Sequence, residues 1–223
     1  MRFKGVIFDL DGTLVNSLED IADSMNIVLR KYGFPTHNLQ AYKYLVGNGI
    51  RNLVSEALPE VFREEKSITR CFDLMMKEYR NNCLNKTHPY EGIVDLLNEL
   101  TTRELKLAIF SNKADDLTQK VVGHLLANWN FEVIMGASPE IPRKPNPLGA
   151  FLISRKLGVN PEDLIFVGDT DVDMKTANKA GMFAVGALWG FRTKEELTDN
   201  GAKYLLNYPL ELIRILKETK VGE

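Results

Sequence analysis

Several residue types are scarce in this chain of 223 residues: two cysteines, three histidines and two tryptophans. Two cysteines cannot build a disulfide framework. Cys71 and Cys83 fall in one predicted helix, about 18 Å apart along its axis, whereas a disulfide needs Cα atoms within about 7 Å. They read as reduced packing thiols. His37, His88 and His124 show no zinc-ligand spacing. Net charge is also small, with 28 Lys and Arg against 30 Asp and Glu, a balance of −2. No global field favours nucleic acid or an anionic membrane, so an anionic ligand must be drawn by a local cluster of positive groups. No segment approaches the roughly 20 apolar residues of a membrane helix. The start, "MRFKGVIFDLDG", meets Asp9 after too few apolar residues for a secretory leader. These features predict a cytoplasmic protein with neither a membrane nor a nucleic-acid partner.

What is present is an alternating pattern. Residues 4–10 form a short apolar run with β-branched members, as a buried strand does. Residues 17–85 read as all-helical, with helical spacing over 18–32, shorter patches at 39–45 and 50–58, and a longer helix over 61–84 whose stripe is Val61, Ile68, Phe72, Met75, Met76 and Tyr79. The stretch 85–92, "NKTHPYEG", reads as a linker. Strands are then predicted at 105–111, 131–137, 164–169, 183–188 and 204–206, and helices at 93–100, 115–127, 147–157, 172–180, 194–197 and 210–217. Strands alternating with helices predict a parallel sheet covered on both faces. The expected fold is α/β, a Rossmann-like parallel-sheet core (residues 1–16 and 86–223) with an inserted all-helical cap domain (17–85).

Ligands gather beyond the carboxyl ends of parallel strands. Asp9 and Asp11 follow the first strand, Ser111, Asn112 and Lys113 the second, and Asp169, Asp171 and Asp173 the "LIFVG" strand, while Arg143 and Lys144 precede a helix. Taken singly, Ser111 fits a helix N-cap, Lys144 a solvated loop lysine, and Asp169 and Asp173 acids near a helix start. Together, on one sheet edge, they describe a site. Asp9 and Asp11 alternate with Leu10, so both carboxylates are expected on one side, with Asp169 approaching from a neighbouring strand. Converging carboxylates repel unless a cation lies between them, and this oxygen-rich set suits Mg²⁺. Asp9 then serves as nucleophile and Asp11 as general acid and base. Lys144 and Ser111 bind the phosphoryl oxygens, with backbone N–H groups near Asp11, Gly12 and Asn112 completing the cradle. Gly12 permits a sharp chain exit and Thr13 orients it. Gly47, Asn48 and Gly49 form a substrate-facing loop, with Asn48 and Arg51 as expected contacts for a substrate carboxylate. Gly47-x-Gly49 is no dinucleotide fingerprint, because Asn occupies position 52 and no strand precedes it.

The stretches "DLDGTLVNS" (9–17), "SNK" (111–113), "KP" (144–145) and "GDTDVD" (168–173) resemble, in order, the four motifs of the haloacid dehalogenase superfamily. The resemblance implies a Mg²⁺-dependent phosphotransfer mechanism. It also implies that Asp9, the carbonyl of Asp11 and Asp169 bind the metal while Asp173 supports it. A helical insertion after the first motif looks like the C1-cap subclass. Asp11 speaks against the dehalogenase and phosphonatase branches, which lack that acid. "YLVGNGIRNLV" (44–54), "KPNP" (144–147) and "WGFRTKEEL" (189–197) are similar to segments of phosphoglycolate phosphatases. Asn16 and Thr170 depart from that pattern, standing where Asp and Ser are common. The expected activity is hydrolysis of a small phosphorylated metabolite, 2-phosphoglycolate foremost, through an aspartyl-phosphate. Pyrophosphate, nucleotides, sugar phosphates, a mutase reaction or mere phospho-ligand binding are the alternatives.

Overall fold

The computed structural model describes residues 3–218. Its first strand, β1 (Gly5–Phe8), is buried along its whole length, as a central parallel strand must be. Val6 and Phe8 join one hydrophobic core and Ile7 the other, because successive side chains leave a strand on opposite faces. The chain then makes a very short strand, β2 (Val15–Asn16), and enters four helices: α1 (Leu18–Lys31), α2 (Leu39–Leu45), α3 (Ile50–Ala57) and α4 (Glu65–Asn82). It returns through β3 (His88–Pro89), which pairs antiparallel with β2, Val15 opposite Pro89 and Asn16 opposite His88. The two connections of the helical block thus form a ribbon, where the sequence suggested only a linker. Strands of two residues carry no periodicity, so nothing in the sequence marks them.

The remainder alternates: α5 (Ile93–Thr102), β4 (Lys106–Ala114), α6 (Asp115–Leu125), β5 (Val133–Ala137), α7 (Leu148–Leu157), β6 (Leu164–Gly168), α8 (Asp171–Lys179), β7 (Phe183–Ala187), α9 (Lys194–Asp199), β8 (Tyr204–Leu206) and α10 (Leu212–Glu218). The sheet has the order β5-β4-β1-β6-β7-β8, and every pairing in it is parallel. The α/β expectation is met, with β1 in the interior, flanked by β4 and β6.

Two boundaries differ from expectation. The long helix begins at Glu65, after a 3₁₀ turn at Glu60–Phe62, and Val61 is 85% exposed rather than part of the apolar stripe. Strand β4 runs on through Ser111, Asn112 and Lys113 to Ala114, with a register shift against β5 between Phe110 and Ala114. Such an irregularity re-aims side chains where pairing is interrupted. Cys71 and Cys83 are both buried and free. Among the described residues, no helix is long and apolar enough to cross a membrane.

Candidate active site

Asp9 lies one residue beyond β1, with its backbone N–H bonded to the Val167 carbonyl of β6. Its side chain is nearly buried, and the Lys144 ammonium stands 2.8 Å from its Oδ1. Lys144 also donates to Asp173 Oδ1 at 2.6 Å. Asp173 is fixed by local sequence. It is the third residue of α8, and it forms a capping box with Thr170, whose N–H and hydroxyl both donate to Asp173 Oδ2. One carboxylate oxygen therefore closes the helix and the other meets the lysine.

Asp169 is held from two sides. Thr13 Oγ1 donates to its Oδ1 at 2.9 Å and the Phe191 N–H to its Oδ2 at 2.8 Å. Thr13 thus grips an acid rather than its own turn. Gly12, at φ +91°, passes so close that a Cβ would sit 2.3 Å from Asp169 Oδ2, and a Cβ at Gly190 would meet the Asp169 Cβ at 2.2 Å. Only glycine fits at either position.

Carboxylate oxygens of Asp9, Asp169 and Asp173 come within 4.8 Å of one another, all buried. Burial raises Asp9 from the usual carboxylate range to about 7; Lys144 opposes that rise, and the neighbouring Asp173 and Asp11 add to it. Burial also lifts Asp169 well above its ordinary value, helped by Asp173 and Asp9. Burial disfavours the Lys144 ammonium, yet Asp173 and Asp9 outweigh that and hold its pKa above the ordinary lysine value. One ammonium against three clustered carboxylates leaves the group short of positive charge. An all-oxygen donor set of this kind fits a hard divalent cation such as Mg²⁺.

Asp11 does not join that cluster through its carboxylate, which is the main departure from the expected geometry. Its side chain turns to Lys113, whose Nζ lies 2.9 and 3.0 Å from the two oxygens. Asp173 completes the trio in its place. Asp9 and Asp11 nonetheless line one chamber of about 40 Å³ with Ser111, Asn112, Lys113, Tyr79 and the Val46–Gly49 loop. Ser111 Oγ accepts from the Lys113 N–H at 3.2 Å, which leaves its own proton available. Asn112 is a strut: its amide donates to the carbonyls of Gly47 and Lys144 and accepts from the Lys144 N–H.

The expected carboxylate contacts are not brought to this chamber. Asn48 and Arg51 line a separate, outward-facing groove with Arg143, and Arg51 is engaged by Glu65 and Thr69. On α3 it is Ile50 and Leu53 that face the chamber, and Arg51 lies about 100° around the helix from Ile50. Asp171 pairs with Lys175 one turn on.

Sequence reasoning gave no role to Lys113, Tyr79, Arg192 or Asp20. Lys113 stood at a strand end beside Ser111, which was a usable signal. Arg192 is nearly buried and clasps the carbonyls of Lys43, Tyr44 and Val46, the last at 2.9 Å. Asp20 lies in the first turn of α1, a place where acids ordinarily do no more than complement the helix dipole. It is buried and accepts from the backbone N–H groups of Lys86 and Thr87 and from the Thr87 hydroxyl.

A parallel α/β sheet whose strand ends gather buried carboxylates, a lysine and a serine around one chamber defines a hydrolase class, and the family model for haloacid dehalogenase-like hydrolases matches residues 6–187. The chain belongs to that family, and its class within it is phosphoric monoester hydrolase. It is 31% identical to a phosphoglycolate phosphatase of Aquifex aeolicus over 212 residues, 95% of each chain. It is 30% identical to one of Chromobacterium violaceum over 97% of each. A crystal structure described as a predicted phosphoglycolate phosphatase, from Haemophilus somnus 129pt, superposes with a TM-score of 0.90 at 25% identity, covering 97% of this chain and 99% of that one.

Proposed function

We propose that the protein is a cytoplasmic, Mg²⁺-dependent phosphatase that converts 2-phosphoglycolate to glycolate and phosphate through an aspartyl-phosphate on Asp9. The observation that carries this reading is the pairing of Asp9 and Asp11 on one small chamber, with Lys144 2.8 Å from Asp9. Mere binding of a phosphate needs no second acid there. The names of the relatives favour the substrate.

Asp9, Asp169 and Asp173 would hold Mg²⁺, with the Asp11 carbonyl as the family resemblance suggests. When bound, the ion supplies the positive charge that lets these carboxylates stand ionised beside a phosphate. An Asp9 carboxylate oxygen attacks phosphorus as the ester P–O bond breaks, and Asp11 gives its proton to the departing alkoxide. Water then attacks the phosphorus of the aspartyl-phosphate and Asp11 takes the water's proton. The acyl–phosphate P–O bond breaks, releasing phosphate and restoring Asp9. Lys144 orients Asp9 throughout, and the Ser111 hydroxyl donates to a phosphoryl oxygen. The Asn112 backbone N–H extends the cradle, whereas the Gly12 N–H expected there is taken by the Val15 carbonyl at 2.9 Å. Residues 17–85 act as a cap over a core of 1–16 and 86–223, excluding water while the acyl phosphate forms.

Phosphate release with Mg²⁺, measured across phosphoglycolate, pyrophosphate, sugar phosphates and nucleoside monophosphates, tests the reading. Expected are a kcat/KM preference for phosphoglycolate of at least about tenfold and complete loss of release in Asp9→Asn. A flat profile would remove the substrate and keep the chemistry. No release from any ester would remove both.

A further inference from the structure

Beyond the phosphoryl-binding end, the chamber walls are aliphatic: Ile21 of α1, Val46, and Ile50 and Leu53 of α3. A carboxylate cannot rest against such a wall without donors, since an unpaired buried charge is costly. Arg51, the donor suggested by the sequence, lies in another groove. Among the described residues lining the chamber, one cationic side chain is present, Lys113, with 1% of its side chain exposed. Its Nζ donates to the Tyr79 hydroxyl at 2.5 Å and lies 4.6 Å from the centre of the Tyr79 ring. Tyr79 comes from α4, across the chamber from the sheet, and is fully buried.

A phenol oxygen that accepts from an ammonium still owns its proton. That proton has no acceptor among the described residues, and the adjacent cation makes it a stronger donor. A buried donor without an acceptor is a standing cost, which a ligand acceptor in the chamber removes.

We propose that Tyr79 and Lys113 form the recognition site for a carboxylate on the leaving-group side of the substrate. The carboxylate accepts the Tyr79 O–H and shares the Lys113 ammonium with Asp11. Specificity is thus read by a helix of the inserted block, at the residue that also touches the lysine holding Asp11. The proposal rests on the phosphatase reading above and adds to it the residues that distinguish a charged leaving group from a neutral one.

The test compares 2-phosphoglycolate with 2-hydroxyethyl phosphate, an ester of similar length whose leaving group is uncharged. The quantity read is the ratio of the two kcat/KM values, so that a general loss of activity cancels. The wild type is expected to prefer the charged ester, and Tyr79→Phe to reduce that ratio about tenfold with an unchanged thermal melt. Lys113→Met should reduce it at least as far. A ratio that stays constant in Tyr79→Phe overturns the proposal, as does a wild type with no preference; in both cases the phosphatase reading stands. If neither ester is hydrolysed, that reading fails and binding decides. Phosphonoacetate must then bind more tightly than ethylphosphonate by calorimetry and lose that margin in Tyr79→Phe, and equal binding of the two overturns the proposal.

Discussion

Asp9 carries an electrostatic cost that its neighbours only partly offset. Its pKa rises from 3.8 to about 7, by burial first and against the pull of Lys144. A carboxylate raised in the folded state contributes stability that is present below about 4 and lost as the pH climbs through about 7. Metal-free Asp9→Asn should therefore melt about 3 °C or more above the metal-free wild type at pH 8, and level with it at about pH 3.5, while releasing no phosphate. Calorimetric melts at the two pH values check this; a variant less stable than the wild type at pH 8 would contradict the assigned cost. At this scale much was legible in the sequence. A short apolar strand ending in acids announces Asp9, Asp11 and Asp169, and the same sheet edge brings Lys144 and Asp173. What escaped were residues defined by distant partners. Lys113 meets Asp11 across 102 positions, and no local pattern encodes that. Arg51 was misplaced because neighbouring residues on a helix point in different directions.

Elements were mostly readable from periodicity, because buried strands and amphipathic helices write their faces into the sequence. The exceptions are short or locked from outside. Strands β2 and β3 exist through pairing with each other, and Asp20 ties the first turn of α1 to the returning chain at Lys86 and Thr87. Arg192, in the loop after β7, ties the middle of the helical block, at the end of α2, to the core. It binds backbone carbonyls from Lys43 to Val46 and pairs with Glu196 at 3.0 Å. Removing it frees the loop that carries the chamber's roof, and leaves carbonyls that must find water. Arg192→Leu should speed amide exchange over residues 43–50 and lower kcat/KM by roughly tenfold to a hundredfold, with little change in exchange across β1 and β6. Exchange that rises evenly through the sheet would instead mark a general loss of folding.

At the scale of the whole molecule, the active groups come from opposite ends of the chain. Thr13 reaches Asp169 across 156 positions and Trp189 Nε1 donates to the Thr13 carbonyl across 176. Cutting the chain before β6 should therefore abolish metal protection altogether: a fragment ending at residue 160 should show no rise in melting temperature with Mg²⁺, whereas the full chain gains several degrees. Strand order was the least legible feature, since placing β1 between β4 and β6 depends on pairings that no neighbouring residues specify. That placement has a consequence for the protein's birth. On a ribosome working at about 5–20 residues per second, the 156 residues between Thr13 and Asp169 take roughly 8–30 s to emerge. For that interval β1, though joined part-way through by β4, waits beside its two acids with its β6 flank uncovered. Asp9 is among the first residues made and among the last to be given its surroundings, so the newborn chain depends on shelter from aggregation well before it has any capacity to work.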